Sequence, residues 1–131
     1  MIRSTALLLL TITAASADEL ERCFDFTSAD KAAAACTEVI DRQPPAYAAT
    51  RSLALLARSE FWWRHRLDHQ HAMADANAAL CAWPADPSAW RWRAKLFEEA
   101  GDRRRAADDR ATAAMPFRER EKRRLRECAG S

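Results

Sequence analysis

Four polar side chains crowd one short stretch of the chain: His65, Asp68, His69 and His71. Two imidazoles four residues apart, with a carboxylate and a third imidazole beside them, are donors that zinc, copper or nickel accept. A site built from them would hold its ion with three protein ligands and keep an open position. Against this, Arg64 and Arg66 adjoin the cluster and repel a cation, and a turn between two helices collects polar residues without any ligand. Metal at His65–His71 is therefore the alternative reading; the expectation is no metal and no cofactor. Catalysis has less to build on. No serine sits in a nucleophile elbow, and there is no glycine-rich phosphate loop. Glu98-Glu99 and Asp108-Asp109 pair carboxylates in sequence, but helix neighbours point about 100° apart. They read as exposed salt-bridge partners, and an enzyme is not expected.

The cysteines are interpreted through the N-terminus. Arg3 precedes an apolar run from Ala6 to Leu10, continued through Ile12 to Ala15 and closed by Ala15-Ser16-Ala17. That is the layout of a secretory signal peptide, and the run is shorter than the about 20 residues a bilayer-spanning helix needs. Residues 1–17 are expected to be removed near Ala17, leaving a mature chain, 18–131, in the periplasm or secreted. Cys23 does not follow the cleavage site directly, so a lipid anchor is not expected. Cys23, Cys36, Cys81 and Cys128 all fall in the mature part, and an even count in a small exported domain favours disulfides. Of the three possible pairings, proximity favours Cys23 with Cys36 and leaves Cys81 with Cys128.

Alanine, arginine, leucine and glutamate dominate, with 2 glycines and 5 prolines. Runs of good helix formers punctuated by proline read as helices joined by short turns, and no window alternates as a half-buried strand would. Residues 88–100 are the strongest helix: Pro87-Ser88 starts it, Gly101-Asp102 stops it, and Trp90, Ala94 and Phe97 share one face. A return helix covers 103–115, and Pro116 ends it. Upstream, 47–64 and 72–82 repeat the plan, with breaks near 66–69 and at Pro84. Residues 30–42 form a helix with Asp30 as its N-cap, stopped by Pro44-Pro45. Residues 18–28 allow a helical turn or two. Phe61, Trp62 and Trp63 are consecutive, so one or two face the core and the third lies under the following loop, the alternative being an aromatic contact surface. Trp90 is assigned to the core.

Charge is uneven. Residues 18–87 carry 7 basic and 11 acidic side chains (net −4), and 88–131 carry 13 and 8 (net +5). A basic half can meet anionic lipid, an acidic protein or nucleic acid. Nucleic acid is not expected for an exported protein. Lipid contact is the lesser possibility, because a surface helix over 117–128 would have only Phe117 and Leu125 to insert.

Ala32, Cys36, Val39, Ile40 and Pro44 have the same offsets as Ala72, Ala76, Ala79, Leu80 and Pro84, and Ala106, Arg110, Ala113 and Ala114 match the first four. The interval from Ala72 to Ala106 equals the repeat length of tetratricopeptide units, about 34 residues. Over residues 30–116 the chain resembles that family: Trp90, Ala94, Phe97, Gly101, Ala106 and Ala113 stand where it places an aromatic, a small residue, an aromatic, a turn glycine and two alanines. It is also similar to small exported bacterial proteins of the family that open on a cysteine-bearing half unit, as Cys23 and Cys36-Thr37 do here. The interval from Ala32 to Ala72 is longer than one repeat by six positions, and Arg110 replaces an aromatic. The resemblance implies an all-α, disulfide-stapled array of antiparallel helix hairpins: a half unit at 18–45, units at 46–86 and 87–116, and a capping helix at 117–128 with Phe117, Leu125 and Cys128 as its seam and Glu119 paired to Arg123. It implies that the concave face, lined by the first helix of each unit, holds a peptide or protein through Arg91, Lys95 and Glu98, with Arg51 and Leu55.

Overall fold

The computed structural model describes residues 17–42, 47–83 and 86–130. The segment ahead of Ala17, expected to be a signal peptide, and the expected stops at Pro44-Pro45 and Pro84 lie outside the described residues. All regular structure among those residues is helical: α1 Ala17–Phe24, a 3-10 turn Phe26–Ser28, α2 Ala29–Arg42, α3 Ala48–His65, α4 His69–Ala82, α5 Ser88–Glu99, α6 Arg103–Ala113 and α7 Phe117–Cys128. No described helix is long and apolar enough to cross a membrane.

Helices pack most extensively with their sequence neighbours, α1 with α2, α3 with α4 and α5 with α6; α2 then meets α3, α4 meets α5, and α7 lies on α4 and α6. Alanine makes this closeness possible. Ala72, Ala76, Ala79, Ala94 and Ala106 are fully enclosed, so backbones approach where a longer side chain would hold them apart. One core cluster joins Cys36, Val39 and Ile40 to Leu55, Leu80 and Trp90. Each large side chain in it contributes about 1.5–3 kcal/mol by leaving water. Cys23 bonds to Cys36 and Cys81 to Cys128, the pairing that proximity favours.

The turns are closed by aspartates. Asp68 Oδ1 accepts the His71 amide at 3.0 Å, and Asp102 Oδ1 accepts the Arg105 amide at 3.0 Å, satisfying donors that a helix start leaves open. The residue before each cap has positive φ: 82° at Gly101 and 51° at Leu67. Gly101 adopts this without a Cβ penalty, whereas Leu67 is strained there and is 80% exposed. Asp68 and Asp102 are separated by the same interval as Ala72 and Ala106, and so are Leu67 and Gly101.

Four expectations are corrected. Asp30 is not an N-cap, because α2 begins at Ala29 out of the 3-10 turn, where Asp25 Oδ1 accepts the Thr27 amide at 3.1 Å; Asp30 pairs with Arg66 instead. Asp109 is not an exposed partner: it is 1% exposed and bound by Arg93, while Asp108 faces outward. Phe117 and Leu125 form no seam, being 50% and 55% exposed. The face of α7 that meets the protein carries Arg120, Arg123, Arg124 and Cys128. Arg124 reaches the Cys81 carbonyl at 2.8 Å and Arg120 the Met115 carbonyl at 2.6 Å. Lastly, Glu119 pairs with Lys122, since Arg123 turns inward toward Asp109 and Glu127.

Candidate functional site

An open groove of about 370 Å³ runs across α1 with its following turn, α3 and α5, the first helix of each packed pair. Phe24 and Phe26 form one end, Leu53, Leu56 and Ala57 the α3 wall, and Ser88, Arg91 and Trp92 the α5 wall, with Glu60 on the rim. Phe24, Phe26 and Leu53 are 44%, 39% and 41% exposed. Apolar side chains left this open on adjacent elements mark a surface that gains by being covered.

The groove exists because α3 is apolar on two faces. Leu55 and Phe61 turn to the core, whereas Leu53, Leu56 and Glu60, spaced by three and four, line the second face. Trp92 is held rigidly between the two. Its Nε1 donates to Ser59 Oγ at 2.7 Å, and that hydroxyl donates to the Ala72 carbonyl at 2.6 Å. An indole fixed by a buried hydrogen-bond chain loses little freedom when a partner covers it. Beyond Trp92 the face continues into Trp63, whose ring meets it edge-on at 5.8 Å, and Lys95 Nζ lies 4.7 Å from the Trp63 ring centroid and 5.5 Å from that of Trp92. Cation–π attraction holds the ammonium over these rings.

Of the five residues implied for a concave face, Arg91 and Lys95 are brought together, four apart on α5. Leu55 is 2% exposed and belongs to the core, so it is withdrawn from the set. Arg51 is half-buried and donates to the Ile40 carbonyl, joining α3 to the end of α2. Glu98 is exposed and engaged by Arg110. The sequence reading missed Phe24, Phe26, Leu53, Leu56 and Trp92 as groove residues. The surplus of apolar side chains on α3, more than one helical face can bury, was the available signal.

The histidines do not converge. Among the described residues no three His, Cys, Asp or Glu side chains are placed to hold a metal ion. Asp68 is spent on the cap and on His71 Nδ1 at 2.6 Å, and these bonds hold its carboxyl below the usual aspartate range, the His71 amide contributing most. His65 stacks on Phe61 and His71 tilts against Trp62. His69 is exposed.

A second hollow, about 610 Å³, lies among Asn77, Ala78, Cys81, Arg93 and Glu127. Its guanidinium is already committed: Arg93 binds Asp109 through Nε and Nη2 at 2.7 and 2.9 Å, and Asn77 and Glu127 through Nη1 at 3.0 and 2.8 Å. Burial works against the Arg93 charge, but Asp109 and Glu127 outweigh it and raise its pKa above the ordinary value. The same fork recurs one pair earlier, where Arg58 binds Asp75 at 2.8 Å through both Nε and Nη2. These pairs join a first helix to its return helix and leave the groove on the other side free. The chain matches no family model, no curated protein and no solved structure.

Proposed function

We propose that this chain is an exported interaction module, a short tetratricopeptide-like array that holds a peptide or a protein segment in the groove across α1, α3 and α5. In this reading residues 18–45 are a half unit, 46–86 and 87–116 are two units, and α7 caps the array. The repeat is supported by features that recur at the interval from Ala72 to Ala106: the positive-φ residues Leu67 and Gly101, the caps Asp68 and Asp102, and the Arg-bound carboxylates Asp75 and Asp109. Export is supported by two disulfides, which persist in oxidising compartments. The observation that carries the function is the groove itself, because it lies along the first helix of every pair and keeps its phenylalanines and Leu53 open.

The test is a peptide selection on the oxidised protein from residue 18, run in parallel on Leu53→Asp. Leu53 is outside the core, so the variant keeps the helical circular dichroism. Peptides enriched on the parent and lost on Leu53→Asp are the expected result. Selection of the same peptides by both proteins, or of none by either, would overturn the groove as the binding face.

A further inference from the structure

The groove is not electrically neutral at its α5 wall. Arg91 and Lys95 share a helical face four residues apart with Trp92 beside them, and neither has an ion-pair partner among the described residues. The acids nearest them are otherwise placed. Glu60, on the groove rim, is engaged by Arg64 at 2.8 Å, and Arg64 itself lies against the Trp63 ring. Glu98 is engaged by Arg110. Glu99 follows Lys95 by four residues, yet no ion pair joins them. Several arginines elsewhere are matched to carboxylates, at Arg42–Glu19, Arg58–Asp75, Arg93–Asp109 and Arg124–Glu121. Other exposed cations, such as Arg103, Arg104, Arg118 and Arg126, also stand without a carboxylate among the described residues. Arg91, however, lines the groove and Lys95 lies over the ring of its Trp92, so these two are placed to meet what fills it.

Resting on the groove reading, we propose that the occupant is a peptide segment in which apolar side chains adjoin carboxylate side chains, the apolar part lying between Phe24, Phe26, Leu53 and Leu56 and the carboxylates meeting Arg91 and Lys95. The geometry gives each part its reason. The α1–α3 end offers phenylalanine and leucine surface, with Glu60 at its rim held by Arg64, so it selects apolar side chains without direction. The α5 end offers a guanidinium and an ammonium, and the ammonium is already held in place by two indoles, so less freedom is lost when a carboxylate arrives. Lys95 is also half-buried beside Trp92, which strengthens the attraction relative to open water. The walls place the apolar part toward α1 and α3 and the acidic part toward α5, in either chain direction.

The experiment uses an array of short C-terminally amidated peptides in which Leu, Ile, Phe and Met are permuted over the apolar positions and either followed or preceded by Asp-Asp or Asn-Asn. Binding to the oxidised protein is read by fluorescence anisotropy, alongside Arg91→Gln, Lys95→Gln and Leu53→Asp. The Asp-Asp series should bind about tenfold or more tighter than the Asn-Asn series, a difference of about 1.4 kcal/mol. Arg91→Gln and Lys95→Gln should each shrink that ratio and leave the Asn-Asn series where it was; Leu53→Asp should weaken both. Equal binding of the two series by the parent would overturn the acidic occupant while leaving the groove reading intact. Failure of both series to bind would sink the groove reading as well. Vesicles of phosphatidylglycerol form the last arm. Binding to them that depends on Arg91 and Lys95, with no preference for the acidic peptides, would replace the peptide with a lipid surface.

Discussion

A carboxylate that is 1% exposed must have its charge met inside the protein, and Asp109 meets Arg93 through two hydrogen bonds at once. The guanidinium is also bounded by the faces of Trp90 and Phe97, at 5.1 and 5.5 Å. Such a pair adds little over a well-packed apolar replacement, but half of it alone is costly, because the remaining charge is buried without compensation. Asp109→Ala should therefore lower the unfolding free energy by about 3–5 kcal/mol in urea denaturation, and Arg93→Met with Asp109→Leu should recover most of the loss. Asp75→Ala should cost less, since Arg58 is 20% exposed and can be rehydrated. A loss at Asp109 no larger than at Asp75 would show that burial is not what sets the cost. Asp75 and Asp109 are separated by the same interval as Ala72 and Ala106 and were in that sense legible. Their arginines, Arg58 and Arg93, are one position further apart, and the backbone bond closing each turn shifts likewise, from the Asp68 amide to the Trp62 carbonyl and from the Asp102 amide to the Phe97 carbonyl. Charge type does not say which way a side chain faces, so Asp109 read as exposed.

Helix boundaries were the most legible feature, for they depend on local chemistry: the α7 limits at 117 and 128 and the break before α4 follow from proline, glycine and aspartate placement. The packing face of α7 was not legible, because a helix normally docks by its apolar stripe and this one docks by arginines. Its hold is thus lateral hydrogen bonding plus the Cys81–Cys128 bond, whose closure of a 47-residue separation is worth about 4 kcal/mol by chain entropy. Removing that bond in Cys81→Ser/Cys128→Ser should raise amide exchange across α7 while α3 and α4 stay protected. Uniform loss of protection would mean that α7 is integral to the core. The caps add an acid response. Asp68 and Asp102 are held below the ordinary aspartate pKa, the His71 and Arg105 amides being the main causes. Their stabilisation is present above the unfolded value of about 3.9 and is lost as pH falls through the lowered folded values. Asp68→Asn with Asp102→Asn should flatten the fall in melting temperature below pH about 4, and an unchanged acid slope would assign it to other carboxylates.

At the scale of the molecule, charge is segregated along the chain, net −4 over residues 18–87 and +5 over 88–131. Much of the positive half does not touch the groove: Arg103 and Arg104 on α6 and Arg118 and Arg126 on α7 are exposed. Charges of this kind act on an acidic partner before contact, whereas Arg91 and Lys95 act after it. Long-range steering raises the association rate and decays over the about 10 Å Debye length of 0.1 M salt, while an ion pair covered by the partner mainly holds the bound state. The two contributions are therefore separable in kinetics. Changing Arg103, Arg104, Arg118 and Arg126 together to Gln should slow association of the Asp-Asp peptides at low salt and leave their dissociation unchanged. Arg91→Gln should instead speed dissociation, and that effect should survive in high salt. Stopped-flow anisotropy at two ionic strengths reads both rates. If the remote arginines alter dissociation as much as Arg91 does, the acidic partner spreads over α6 and α7, and the groove is only one part of a larger interface.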